Sequence, residues 1–426
     1  VIGCVAAADP QDAIRAVWSI ESARLIAGLV RIVRDVGVAE EIAQDALVAA
    51  LEQWPVSGVP DNPAAWLRAA AKNRAINFWR RGKMLERRHR ELGYVIESTS
   101  GAEQVPEEIE AALDDDVGDD LLRLVFTACH TVLSTEARVA LTLRLLGGLT
   151  TAEIARAFLV PEPTISQRIV RAKRTLAEKQ VPFEVPRGAE LSERLASVLE
   201  VVYLIFNEGY SATAGEDHIR PALCEDALRL GRMLAQLAPN EPEVHGLVAL
   251  MELNASRTPA RTTATGEPIL LLEQDRSRWD VLLMRRGFGA LERAAAMGGS
   301  LGPYVLQASI TACHARAGTA AETDWARIAG LYGQLAEVVR SPVVELNRAV
   351  AVSMAEGPAA GLAIVDSLMG EPSLQNYHLL PGARGDLLVK LGRVEEARVE
   401  FERAAALTQN LKVRERLLAR VKECGG

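Results

Sequence analysis

Apolar positions recur at intervals of four, three and four at Ile165, Ile169, Ala172 and Leu176 in "EPTISQRIVRAKRTLAEKQ" (162–180). At 3.6 residues per turn these four form one narrow stripe. The spacing predicts a helix that packs by a single face. Gln167, Arg171 and Arg174 point the other way, with Thr164 and Arg168 on one flank and Ser166 and Lys173 on the other. Upstream, Thr150 and Glu153 have the spacing of a capping box, and Ile154, Ala155 and Phe158 form the inward side of a shorter helix. Leu159, Val160 and Pro161 turn the chain, and Pro163 suits the first position of the second helix. Capping box, tight turn and basic outer face together predict a helix-turn-helix.

A second pattern lies nearer the N-terminus. "VAEEIAQDALVAALEQW" (38–54) is amphipathic, with Glu40, Glu41, Gln44 and Asp45 on its polar face. After the loop "PVSGVPDNP", Asn62 can cap and Pro63 can start a helix over "AAWLRAAAKNRAINFWRR". Asn73 and Asn77 are four apart and share a face. Phe78, Trp79, Arg80 and Arg81 follow, adding stacking surfaces and cations suited to unpaired bases. Beyond residue 181 the pattern reads as paired helices. Gly357 and Gly392 stand 35 apart, next to the 34 of a tetratricopeptide repeat, with Gly318 a further 39 upstream.

Composition agrees with helices throughout. Ala, Leu, Arg and Glu dominate while strand-forming runs are scarce, so the expected fold class is all-α, and 426 residues are long for one core. The net charge of -8 conceals segregation along the chain. Pro63 to Arg90 holds nine basic residues against Glu86 alone, Glu91 to Asp120 holds eleven acidic residues and no basic one, and Thr150 to Gln180 holds six basic against three acidic. Two basic modules thus flank an acidic tether. It is either a solvated spacer or a nucleic-acid mimic that covers a basic surface.

Five widely spaced cysteines, never C-x-x-C, indicate neither a disulfide framework nor a zinc site. Cys129-His130 and Cys313-His314 are neighbours that diverge on a helix, better explained as buried residues. With no apolar run of bilayer length, a cytoplasmic protein is expected, without metal or cofactor. No Ser-His-Asp order, phosphate-cradling glycine loop or metal spacing points to an enzyme.

In this order the two modules resemble the extracytoplasmic-function group of bacterial sigma factors, the promoter-recognition subunits of RNA polymerase. "AEEIAQDALVAAL" looks like that group's core-binding segment, with Glu41, Asp45 and Leu47 where the pattern usually has Asp, Glu and Phe. "WLRAAAKNRAIN" is similar to its minus-10 reader. "LTTAEIARAFLVPEPTISQRIVRAKRTL" looks like its minus-35 reader, with Pro163 where many members have Gly. The resemblance covers about residues 10 to 180. It implies that Glu40, Glu41, Gln44 and Asp45 dock on the polymerase clamp. Asn73 and Asn77, with Trp79, Arg80 and Arg81 beside them, would hold a flipped base of the minus-10 single strand. Thr164, Ser166, Gln167, Arg168, Arg171 and Lys173 would hold the minus-35 duplex.

The expected domains are therefore 1–90 and 120–181, joined by an acidic linker at 91–119 and followed by a tetratricopeptide-like helical extension at 182–426. That extension looks like the tail of one sigma-factor subgroup in "FNEGYSA", "DRSRWD", "GPYVLQASITACHA" and "PVVELNRAVAV". In such subgroups it is thought to regulate the sigma module. Asn207, Glu208, Tyr210, Asp275, Arg278 and Asp280 then form a contact site for a peptide, a regulatory protein or the sigma module, or they are caps and packing ion pairs. A one-component helix-turn-helix regulator with a helical sensor is the alternative, but it leaves residues 38–81 without a role.

Overall fold

The computed structural model describes residues 10–91, 117–158, 160–210, 221–263, 269–298, 301–408 and 411–425. The expected linker lies outside these except for its two ends. Helices account for the regular structure, and no β-strand occurs among the described residues. The chain divides into two compact units, Val1–Val201 and Val202–Gly426.

The first unit opens with α1 (Pro10–Val33), α2 (Val36–Ser57) and α3 (Pro63–Glu91), which pack on one another. Leu25, Ile26 and Leu29 of α1, Ile42 and Ala46 of α2, and Leu67 and Ala71 of α3 are buried. Asp35 caps α2 by accepting from the Val38 amide at 2.9 Å, and Asn62 caps α3 by accepting from the Ala65 amide at 3.0 Å. Buried Trp54 meets Trp66 edge-on at 5.5 Å and fixes α2 against α3. α2 runs three residues past Trp54, carrying Pro55 inside its last turn and stopping at Gly58, whose φ of 83° favours glycine.

Next come α4 (Val117–Ala128), α5 (Thr135–Leu145), α6 (Thr151–Ala157) and α7 (Glu162–Glu178). α5 is buried along nearly its whole length. α8 (Ala189–Tyr210) contains the division between the units. Its first half is tied to α4 and α5: Arg194 donates to the Phe126 carbonyl at 2.9 Å and Ser197 to the Cys129 carbonyl at 2.7 Å. Arg138 of α5 donates to Ser197 and, at 3.1 Å, to Glu200. Burial pushes the Cys129 thiol up to about 11, which suits an inert core cysteine.

In the second unit, α10 (Pro242–Ala255) is buried on almost every side and lies against α9 (Pro221–Leu237), α11 (Val281–Ala296) and α12 (Pro303–Arg316). Gly246 permits the close approach of α12, since a Cβ there would lie 2.6 Å from the Val305 amide nitrogen. Glu243 spends its carboxylate on the free end of α12, accepting from the Tyr304 and Val305 amides at 2.8 and 3.1 Å.

α13 (Trp325–Val338) returns alongside α12. Two tighter hairpins follow: α14 (Pro342–Glu356) with α15 (Pro358–Ser367), and α16 (Leu379–Lys390) with α17 (Val394–Leu407). Each turns at a glycine of positive φ, Gly357 at 105° and Gly392 at 75°, the two residues aligned from the sequence. α18 (Leu411–Cys424) packs on α17.

Candidate nucleic-acid interface

The helix-turn-helix forms where the apolar stripe requires it. Ile165, Ile169, Ala172 and Leu176 are all buried, as are Ile154 and Ala155. Thr150 and Glu153 make the reciprocal capping pair, with the Thr150 amide donating to Glu153 at 2.8 Å and the Glu153 amide to the Thr150 hydroxyl at 3.2 Å. α7 starts one residue earlier than the sequence suggests: Pro161 is its cap residue and Pro163 falls at the second helical position. Proline is tolerated there because amides in the first turn have no intrahelical partner.

On the outer face of α7, Thr164, Ser166, Gln167 and Arg171 are exposed, and Arg168 is half-buried near Glu136 of α5. Arg174 pairs with Glu178 at 2.6 Å on the open surface, where such pairs contribute little. The face can therefore offer short polar side chains at its N-terminal end and cations further along, the order in which a recognition helix meets base edges and then phosphates. Lys173 is engaged elsewhere.

On α3, Asn73, Asn77, Phe78 and Arg80 are exposed, with Asn73 and Asn77 one turn apart. The side chains of Trp79 and Arg81 lie outside the described residues. On α2, Glu41 and Asp45 are exposed and Gln44 is half-buried. Glu40 departs from the expected polar face, being only 2% exposed. Its Oε1 accepts from Arg144 Nε of α5 at 2.6 Å and from Gln44 Nε2 at 2.6 Å, while Oε2 pairs with Lys173 of α7. Arg144 escaped the sequence reading. Its signal was a lone arginine inside the apolar run "ALTLRLLGG".

The tail residues singled out from the sequence do mainly structural work. Asp275 accepts from the Ser277 amide and hydroxyl at 3.0 and 2.6 Å, and Asp280 caps α11 by accepting from the Leu282 and Leu283 amides at 2.8 and 3.0 Å. Between them Arg276 donates to the His314 and Ala317 carbonyls at 2.8 and 2.6 Å, closing the C-terminal end of α12, and Trp279 is buried in the core. Arg278 is exposed. Asn207 bonds Tyr203, Glu208 is half-buried, and Tyr210 stacks on Phe206 beneath the Arg261 guanidinium, 3.6 Å from the ring centre. Arg276, Ser277 and Trp279 are the residues of "DRSRWD" not singled out from the sequence. Among the described residues no group of His, Cys, Asp and Glu is placed to hold a metal, and no helix is long and apolar enough to cross a membrane.

Comparison with known proteins accounts for this arrangement. Residues 21–84 match sigma-70 region 2 and residues 123–176 match sigma-70 region 4, so the fold and its two polar faces define a sigma-70-type, non-enzymatic class. Residues 194–295 match a family of unknown function. The chain is 31% identical over 176 residues to the ECF RNA polymerase sigma factor SigL of Mycobacterium tuberculosis, a stretch covering 40% of this chain and 90% of that protein. The chain belongs to the ECF sigma factor family. It is also 43% identical over 384 residues to an uncharacterized protein of Rhizobium meliloti, covering 90% of this chain and 89% of that one. No solved structure matches the chain.

Proposed function

We propose that the protein binds core RNA polymerase and directs it to a particular promoter, acting in the cytoplasm without a cofactor, while residues 182–426 form a fused, tetratricopeptide-like regulatory extension. The observation that carries this reading is the order of the two sigma regions together with the exposure of Asn73 and Asn77 on one and of Thr164, Gln167 and Arg171 on the other. Glu41 and Asp45 meet basic groups of the polymerase clamp, joined by Glu40 and Gln44. Asn73 and Asn77 hold an extruded minus-10 base, whose unstacking costs a few kcal/mol and is repaid by stacking and hydrogen bonds. Phe78, Trp79, Arg80 and Arg81 supply stacking and phosphate contacts beside it. Thr164, Ser166, Gln167, Arg168 and Arg171 read the minus-35 duplex, with Lys173 reaching a phosphate. The protein makes and breaks no bond; the polymerase supplies the catalysis.

Domain boundaries at 1–90, 91–119, 120–181 and 182–426 belong to the same reading. So does a regulatory contact through Asn207, Glu208, Tyr210, Asp275, Arg278 or Asp280. Of these, Arg278 is exposed.

The test is capture of purified bacterial core polymerase by the full chain. Glu41→Arg and Asp45→Arg are expected to weaken capture by about tenfold or more, the effect of placing like charge in a complementary contact. If the unmodified chain fails to capture core, the reading falls and the one-component regulator takes its place.

A further inference from the structure

The outward side of α11 combines features that packing within the second unit does not use. Gly287, Ala290 and Ala294 turn one side of this helix into the core, and Met284 and Phe288 pack on the same core. The opposite side begins with Val281 and Leu282, 58% and 56% exposed, and continues one turn later with exposed Arg285 and Arg286, then exposed Arg293. Arg316 of α12 adds a guanidinium at the flank, 5.2 Å over the Phe288 ring. Among the described residues no carboxylate lies within ion-pair distance of these four arginines. Asp280 is spent on the cap of α11, and Glu292, the one carboxylate inside the helix, stands beside Arg293 without pairing with it.

Gly289 lies in the middle of this outward side. A Cβ there would meet only Arg293 Nη1, at an ordinary 3.6 Å, so no described neighbour requires a glycine. Glycine weakens a helix interior relative to alanine, yet its bare backbone lets another element come close.

We propose that this face docks an acidic helical segment of a partner protein, which lays aliphatic side chains on Val281 and Leu282, presents carboxylates to Arg285, Arg286 and Arg293, and crosses α11 at Gly289. The cations are all arginine, which interfaces favour over lysine, and they stand beside exposed aliphatic side chains of the kind an interface core buries. Guanidiniums without a carboxylate of their own admit an acidic partner and turn away a basic one. A nucleic-acid backbone would satisfy the arginines but leave Val281 and Leu282 in water, and a lipid surface has no use for the gap at Gly289. The inference concerns residues 281–316 and does not depend on the sigma-factor reading.

The test places the photo-crosslinker p-benzoylphenylalanine at Leu282 of the full chain in its native host and maps the cross-linked peptide by mass spectrometry. A protein adduct on a segment of net negative charge is expected, with the yield reduced about tenfold or more when Arg285→Glu and Arg286→Glu are combined. Lysines in place of two carboxylates of the mapped segment should restore binding to that doubly reversed chain. Gly289→Leu separates docking from folding: it should hold or raise the melting temperature while lowering adduct yield, whereas a glycine needed only for packing would lose both. If the double reversal loses helical circular dichroism, Arg285→Gln with Arg286→Gln carries the charge test. No adduct, an adduct to nucleic acid or lipid, an adduct on a neutral or basic segment, or a yield untouched by removing the two charges would each overturn the proposal.

Discussion

His314 shows how one side chain reports on its surroundings. It sits at the end of α12, 9% exposed, with its ring edge-on to Trp325 at 5.2 Å. Burial first, then the nearby Arg257 and Arg276 guanidiniums, lower its pKa from 6.5 to about 4. The unfolded ring takes up a proton near 6.5 while the native ring stays neutral down to about 4. Between those values the unfolded state binds more protons, so stability falls as pH falls, by up to about 1.4 kcal/mol per pH unit. Thermal melts from pH 7 to 4.5 should show a smaller acid loss in His314→Gln than in the unsubstituted chain. Equal slopes would place the acid sensitivity elsewhere. At this scale the sequence was legible only in part: Cys313-His314 was expected to be buried rather than metal-binding, but the arginines that add to the effect of burial come from residues 257 and 276.

Among the elements, α7 was the most readable. A four-three-four apolar stripe leaves one way to pack it, and so the outward residues could be assigned before any coordinates. Gln167→Ala is expected to cost about 1–3 kcal/mol against the correct minus-35 base pair and far less on scrambled duplex. Competition titrations on the two duplexes measure the difference, and equal losses would remove Gln167 from base reading. α2 was less readable. Its amphipathic pattern placed Glu40 on the solvent side, but the cation that covers it, Arg144, lies 104 residues further on, and helical periodicity carries no information about a partner that distant. In "DRSRWD" the alternative of Asp275 and Asp280 as caps agrees with their contacts. Arg276 was not legible there, because the carbonyls it closes, of His314 and Ala317, lie 38 and 41 residues further on.

For the molecule as a whole, the helix pairs of the tail and the two sigma modules were legible from period, caps and turn glycines. Invisible were the docking of the modules on each other and the tie between α8 and the α4–α5 hairpin, which depend on residues as far apart as Phe126 and Arg194. In the second unit, Gly302 bears on how such a chain can change over generations. A side chain there would land on the Glu243 carboxylate, 2.3 Å from its carboxyl carbon. The two codons are therefore tied in inheritance: a side chain gained at 302 displaces the Glu243 carboxylate from the Tyr304 and Val305 amides, and selection then favours a second change that restores a cap to α12.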